Sequence, residues 1–296
     1  MLVSDARMKT LFLYGKSQSA NSVELVETAE RLGHEAISGS ILDVSSEISN
    51  EGSRFWLGRD EVTDVDVCFV RSFGPGTCEQ STRRISMVEH MELSGIRVVN
   101  PTYSFRRARD KYSTQYSLAM AGLPIANTYT TESVEMAYRR SQEMGVCIYK
   151  PILSSMGKGS LKFDHPDLAY NAWKSLSRLG QPLIVQEYLE NPGRDIRVFV
   201  VGDEVVGTAY KYGLPGRWKT NVAQGARMVD EPVPEEIKEM GIKAARALGL
   251  DYSGVDIMET NRGPVVLEAN GSPGWQALKK ATGVDIAEKI VKYFTT

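Results

Sequence analysis

The sequence predicts an α/β chain that becomes α+β in its later parts, and three observations carry that prediction. Strand-like and helix-like stretches alternate over the first hundred residues, which implies an open parallel sheet with crossover helices. Asn100-Pro101 breaks the alternation. Beyond residue 190 the apolar runs come in pairs around Gly202-Asp203 and Asn261-Arg262-Gly263, the mark of antiparallel hairpins. The expected organisation is an N-terminal open parallel-sheet domain over 9–103 and two α+β subdomains over 104–189 and 190–296. A length of 296 residues allows this, at roughly 150 residues per domain or three smaller units.

The elements follow in order. Strands are expected at 10–14, 36–38, 66–70 and 96–99, with helices at 21–33 and 81–94 that close on Gly33 and Gly95. Residues 1–8 read as a short leader outside the fold. In the middle the pattern gives one helix over 104–121 closed by Gly122, a strand at 125–129, a helix at 132–144 and a strand at 146–150. A glycine-containing loop, a strand at 160–163, a helix at 166–179 and a strand at 183–188 complete it. The last part pairs 195–201 with 204–211 and 253–260 with 264–270, and places helices at 233–248 and 284–294.

Composition narrows the function. Lys and Arg number 35 against 37 Asp and Glu, a net charge of -2, so the basic footprint of a nucleic-acid binder is missing. No apolar run approaches the ~18 residues of a membrane span, and the start lacks a signal-peptide core, so a soluble cytoplasmic protein is expected. Cys68, Cys78 and Cys147 are too dispersed for a zinc site or a disulfide framework and read as buried thiols. His34, His90 and His165 are scattered and receive no chemistry.

The sharpest signal is the last hairpin. With a three-residue loop Asn261-Arg262-Gly263, Thr260 faces Pro264, Met258 faces Val266 and Asp256 faces Glu268. Asn270 projects to the same face, two residues beyond Glu268. Opposed carboxylates repel. A divalent cation removes the penalty, and two carboxylates with an amide oxygen suit magnesium or manganese. A solvent-facing pair, with Asn270 capping the turn Gly271-Ser272-Pro273-Gly274, is the competing reading.

Other candidates are weaker singly. Lys150 ends a strand beside the loop Ser154-Ser155-Met156-Gly157-Lys158-Gly159-Ser160, where it can reach a phosphate as the glycines admit close approach. Lys111 alone fits a solvated helix face, and the loop alone fits a hairpin turn. Glu187-Tyr188 closes an apolar strand at a block junction, where pockets form, although Tyr188 also suits a core. Asp195 and Arg197 share a strand face, with Tyr210 and Thr208 expected opposite and Asp195 able to hold the Arg197 guanidinium. Lys211, Arg217, Lys219 and Asn221 lie in or beside a polar stretch that also reads as an exposed loop.

Asp110-Lys111, Tyr149-Lys150-Pro151, Met156-Gly157-Lys158-Gly159, Val185-Gln186-Glu187-Tyr188, Asp195-Ile196-Arg197, Gly254-Val255-Asp256 and Glu268-Ala269-Asn270-Gly271-Ser272-Pro273-Gly274 stand in this order. The series resembles the ATP-grasp superfamily, and within it the RimK-like glutamate ligases, over about 97–294. The first block matches only in architecture.

The resemblance implies an ATP-grasp fold whose two α+β subdomains enclose ATP, and an ATP-dependent carboxylate-amine ligase working through an acyl phosphate. It implies ATP at Lys111, Lys150, Ser155, Gly157, Gly159, Glu187, Tyr188, Asp195, Lys211, Lys219 and Asn221. Two Mg2+ or Mn2+ ions are implied at Asp256, Glu268 and Asn270, with Arg197 and Lys219 as catalytic groups. Lys219 stands where relatives often carry arginine and cannot make the same bidentate contact. The implied partners are L-glutamate and a small-molecule carboxylate acceptor, foremost a tetrahydromethanopterin-type coenzyme, with no nucleic acid and no membrane; a homo-oligomer is compatible. Alternatives within the resemblance are glutamylation of a deazaflavin coenzyme or a ribosomal protein C-terminus, a lysine-biosynthesis ligase, and a non-catalytic ATP-binding scaffold.

Overall fold

A computed structural model describes residues 7–154, 157–190 and 192–295. Ser155 and Met156 of the glycine loop lie outside the described residues. In the first block β1 (Lys9–Tyr14), α1 (Ala20–Arg31), β2 (Glu35–Ser40), β3 (Val44–Ser49), β4 (Gly52–Leu57), β5 (Asp60–Glu61), β6 (Val67–Val70), α2 (Cys78–Leu93) and β7 (Arg97–Val99) follow one another. The parallel sheet has the order β2-β1-β6-β7. Alternation along β1 sends Leu11 and Leu13 into one core and Phe12 into another, so both faces are covered. Ser19 caps α1 by accepting from the Ser22 amide, and Thr77 with Gln80 forms a capping box on α2.

Two departures appear here. Residues 44–61, given no element from sequence, form the antiparallel meander β3-β4-β5, whose buried Phe55 joins the core under β1 and β6. Short strands with exposed polar alternation gave little period to read. Cys78 is exposed at the start of α2 rather than buried, while Cys68 and Cys147 are buried free thiols.

The middle block contains α3 (Thr102–Arg109), α4 (Lys111–Met120), β8 (Thr128–Thr131), α5 (Val134–Met144), β9 (Cys147–Tyr149), β10 (Leu161–Phe163), α6 (Pro166–Arg178) and β11 (Leu183–Glu187). Its sheet runs β10-β9-β11-β8, antiparallel throughout. The single helix expected over 104–121 is broken at Asp110, whose φ of -90 and ψ of 113 leave the helical region. The Asp110 carboxylate accepts from the amides of Tyr112 and Ser113 and starts a new helix. Lys111 therefore opens α4 instead of lying mid-helix.

The last block is β12 (Arg194–Val201), β13 (Glu204–Tyr212), β14 (Arg227–Val229), α7 (Glu235–Leu248), β15 (Tyr252–Thr260), β16 (Gly263–Asn270), α8 (Gln276–Thr282) and α9 (Ile286–Thr295). Its sheet has the order β14-β13-β12-β15-β16, and α7 buries Ile237, Met240, Ala244 and Leu248 against it at helical spacing. β14 and α8 were not expected.

Both hairpins correct the register. Thr260 pairs with Gly263 and Met258 with Val265, one residue off the expected pairs, because the turn holds only Asn261 and Arg262 between paired residues. A bulge between Asp256 and Ile257 recovers the lost residue, so Asp256 does face Glu268. In the other hairpin a bulge between Phe199 and Val200 shifts the pairing, so that Asp195 faces Lys211 and Arg197 faces Ala209, not Tyr210 and Thr208.

The first and last blocks share a core. Phe12, Phe69 and Val99 pack in one cluster with Phe199, Tyr252, Trp275, Ile290 and Phe294. Buried Asn100 fastens the seam: its Nδ2 donates to the carbonyls of Tyr252 (2.9 Å) and Gly271 (2.7 Å), and its Oδ1 accepts from the Tyr252 amide (2.9 Å). This pins the turn after β16 against the carboxyl ends of the parallel strands, where open α/β sheets place their ligands.

Candidate active site

Three adjoining cavities open at this meeting of blocks. One of about 110 Å³ lies between the middle and last sheets and includes Ile148, Tyr188, Leu189, Trp218 and Met258 in its wall. A junction cavity of about 350 Å³ is lined by Arg71, Arg109, Lys111, Lys150, Glu268 and Asn270 among others. A third, of about 540 Å³, runs from Gly15 and Ser19 to Arg197, Asp256 and Asn270. Glu268 lines all three.

At the centre, β12, β13 and β15 bring together four charges. Arg197 donates Nε to Oδ1 of Asp256 at 2.8 Å and Nη2 to Oδ2 at 3.1 Å. Lys211 Nζ lies 2.7 Å from Asp195 Oδ1 and 2.9 Å from Asp256 Oδ1. Thr220 donates its hydroxyl to Asp195. The carboxylate that orients Arg197 is therefore Asp256 across the ladder, not Asp195 on its own strand.

Two cations and two carboxylates make this cluster neutral, which is how such deeply buried charges persist. Burial pushes the Asp195 carboxyl up to about 6, with Lys211 pulling it down and Asp256 pushing it up. Burial also works to raise Asp256, but Arg197 and Lys211 outweigh it and hold that carboxyl below its usual range.

Glu268 adds a third carboxylate, which faces Lys150 and Arg197 as well as Asp256. It comes within hydrogen-bonding reach of Asp256, and Asn270 Nδ2 lies 3.2 Å from its Oε1. Two carboxylates in contact require a shared proton or a cation. A carboxylate offers about four lone-pair sites, and Arg197 with Lys211 takes three on Asp256. One acceptor site is left on Asp256, and the Asn270 amide, whose Nδ2 also donates to the Gly254 carbonyl at 3.1 Å, offers its oxygen only by turning away from that bond. The set fits a hard divalent cation.

Lys111 and Lys150 line both the junction cavity and the 110 Å³ cavity, and Lys219 lines the latter. Lys111 Nζ donates to the Ser154 carbonyl at 2.6 Å, and Lys219 Nζ to the carbonyls of Gly157 (3.0 Å) and Ser160 (2.9 Å), so both strap the glycine loop. Lys150 interacts electrostatically with both Lys111 and Glu268. Burial lowers its pKa to about 8, Glu268 opposing that and Lys111 adding to it. Gly159 has a φ of +74, and a Cβ there would lie 2.8 Å from the Pro151 ring.

Of the remaining sequence candidates, Tyr188 lies under Lys162, whose Nζ is 3.6 Å from the ring centroid. Glu187 lines the 110 Å³ cavity with it, and its carboxylate accepts from Asn127 N at 2.8 Å and Arg262 Nη2 at 2.6 Å. Asn221 lines both the 110 Å³ and the 540 Å³ cavities. Arg71 and Arg109 line the junction cavity but were not singled out from sequence. Arg71 did carry a signal: it follows four buried apolar residues at the carboxyl end of a parallel strand.

The RimK-like ATP-grasp domain matches residues 108–294, more than half of the chain. The chain belongs to the RimK-like ATP-grasp family. This member is an ATP-grasp ligase that joins a carboxylic acid to an amino acid. It is 32% identical over 280 residues to a tetrahydromethanopterin:α-L-glutamate ligase of Methanosarcina acetivorans, covering 85% of this chain and 86% of that one. A protein of the same name from Methanocaldococcus jannaschii is 34% identical, covering 77% and 79%. A probable α-L-glutamate ligase of Haemophilus influenzae is 29% identical, covering 97% of each.

Solved structures agree on the ATP-grasp fold. The ligase PsnB with its minimal precursor superposes with a TM-score of 0.78 at 22% identity, covering 98% of this chain and 100% of that one. A RimK domain protein of Sphaerobacter thermophilus gives 0.73 at 20% identity, covering 97% and 99%. PsnB has also been solved with Mg and ADP. Among the described residues of the RimK-like chain, no helix is long and apolar enough to cross a membrane.

Proposed function

We propose that this ligase adds L-glutamate, at the expense of ATP, to a small-molecule carboxylate acceptor of the tetrahydromethanopterin type. The relatives at 32% and 34% identity support that acceptor, and the Haemophilus influenzae relative supports glutamate more broadly. The observation that carries the reading is Glu268, a carboxylate common to all three cavities. A metal ligand there stands between a nucleotide on one side and an acceptor on the other. The three blocks 9–103, 104–189 and 190–296 are then the acceptor-side domain and the two halves that enclose ATP.

In this reading the base of ATP takes the narrow cavity beside Tyr188 and Leu189, and Lys111 and Lys150 face its phosphates as point charges. Gly157 and Gly159 let the loop backbone approach, and Lys219 holds that loop down. Asp195, with Lys211 and Asn221, lines the nucleotide side. Asp256, Glu268 and Asn270 would hold magnesium or manganese, which when bound would supply charge neutralisation for the phosphates.

Phosphoryl transfer asks mainly for alignment and charge neutralisation, so no protein nucleophile is required. The acceptor carboxylate attacks the γ-phosphorus and ADP leaves. The neutral glutamate amine then attacks the acyl carbon, the C–O bond to phosphate breaks, phosphate leaves with that electron pair, and the nitrogen gives up a proton to the departing phosphate or to solvent. Arg197 is held in plane by Asp256 and directs its free edge to the transferring group and the tetrahedral oxyanion.

Incubation of the protein with ATP, magnesium, isotope-labelled L-glutamate and a panel of pterin and deazaflavin coenzymes and protein tails, read by mass spectrometry, tests the assignment. A labelled glutamyl addition on the pterin alone supports it. Addition to another acceptor, or of another amino acid, replaces it.

A further inference from the structure

We propose that Arg71 receives a carboxylate of the incoming amino acid; this rests on the ligase reading of the same site. Arg71 is only 8% exposed, and no acidic side chain lies within ion-pair reach of it among the described residues. A buried guanidinium without a counter-charge is costly unless something supplies one. Its place in the fold indicates what does: it belongs to the wall of both the junction cavity and the 540 Å³ cavity.

The guanidinium is held ready. Nη1 donates to the Tyr252 hydroxyl at 2.7 Å, Nη2 donates to the Pro273 carbonyl at 2.8 Å, and the group sits 4.8 Å from the Trp275 ring centroid. These contacts fix the plane but bring no negative charge, and Nε is a buried donor with no partner. Arg84, at 6% exposure, shows the purely structural alternative: its Nη1 donates to the carbonyls of Phe73 and Pro75, and it lines none of the three cavities. A planar guanidinium with an unpartnered N–H, in the wall of two cavities, matches a carboxylate.

The chemistry selects which substrate supplies that carboxylate. The acceptor's carboxylate is consumed when it is activated, and a guanidinium clamped on it would oppose its attack on phosphorus. The amino acid keeps its carboxylates unchanged throughout. A permanent cation that also lines the 540 Å³ cavity, which Lys111 and Lys150 do not reach, therefore suits the amino acid.

Calorimetric titration of L-glutamate into the full chain saturated with magnesium and a non-hydrolysable ATP analogue tests this without any acceptor. Loss of one charge-assisted contact predicts ~10–100-fold weaker glutamate binding in Arg71→Met, with nucleotide affinity unchanged. Arg71→Lys keeps the charge over Trp275 but lacks the fork and Nε–H; it carries the test if the methionine variant fails to fold, and it too should bind glutamate at least ~10-fold more weakly.

Wild-type glutamate affinity in either folded variant overturns the proposal, as does a wild-type protein that binds no amino acid beside the nucleotide. If the wild type instead takes L-lysine or L-aspartate and Arg71→Met loses it, the glutamate assignment falls while the role of Arg71 stands.

Discussion

Arg197 and Asp256 meet edge to edge across the β12–β15 ladder, with contacts of 2.8 and 3.1 Å. The pair is register-opposed, so backbone pairing itself sets the guanidinium plane. Arg197→Ala leaves Asp256 with Lys211 alone and should cost ~3–5 kcal/mol, the usual toll of a broken buried pair. Arg197→Lys keeps the charge but not the fork. It should fold with a near-normal melting temperature yet lose ~100-fold in kcat, the scale of one lost transition-state donor. Denaturant melts and steady-state rates measure the two effects separately.

Lys150 gives a pH signature. Its folded-state pKa, lowered by burial to about 8, lies below the unfolded value, so its contribution to stability is present at high pH and lost as pH falls through about 8. Phosphate binding needs the charged form, so nucleotide binding above pH 8 should take up a proton. Calorimetry in buffers of different ionisation enthalpy at pH 8.5 should show that uptake in the wild type. Lys150→Arg, charged throughout, should abolish it.

Lys211 bridges two buried carboxylates, and Lys211→Met should destabilise the protein by ~3–5 kcal/mol at pH 7. The sign with pH follows from Asp195, whose pKa is raised to about 6 chiefly by burial. A carboxyl that holds its proton more tightly when folded favours the fold at low pH, and that contribution is lost as pH rises through 6. Without Lys211 the pKa rises further. The gap between variant and wild type in urea midpoints should therefore be smallest below pH 6 and widen as pH rises above it.

Much of this was legible in the sequence, for reasons that also mark its limits. The parallel strands declared themselves by apolar runs such as Val67–Val70, and the opposition of Asp256 and Glu268 followed from counting the last hairpin. That count succeeded by cancellation: a tighter turn and a bulge each shift the ladder by one residue, in opposite senses. In the first hairpin one bulge stood uncompensated, so Lys211 rather than Tyr210 faces Asp195. Bulges answer to sheet twist and core shape, which no local pattern records. The break at Asp110 was readable in principle, since an aspartate two and three residues before its amide partners is a cap, but continuous helical period concealed it. Arg71 was readable only by its place after Val67–Val70; its burial was not, because Tyr252, Pro273 and Trp275 lie about two hundred residues away in the chain.

Electron paramagnetic resonance of Mn2+ tests whether Asp256, Glu268 and Asn270 hold the metal that accompanies the nucleotide. With ADP present, the wild type should bind Mn2+ and change its spectrum, whereas Glu268→Gln should weaken that binding ~10–100-fold while the protein stays folded. Manganese binding in Glu268→Gln equal to the wild type, with ligation undiminished, would contradict the account.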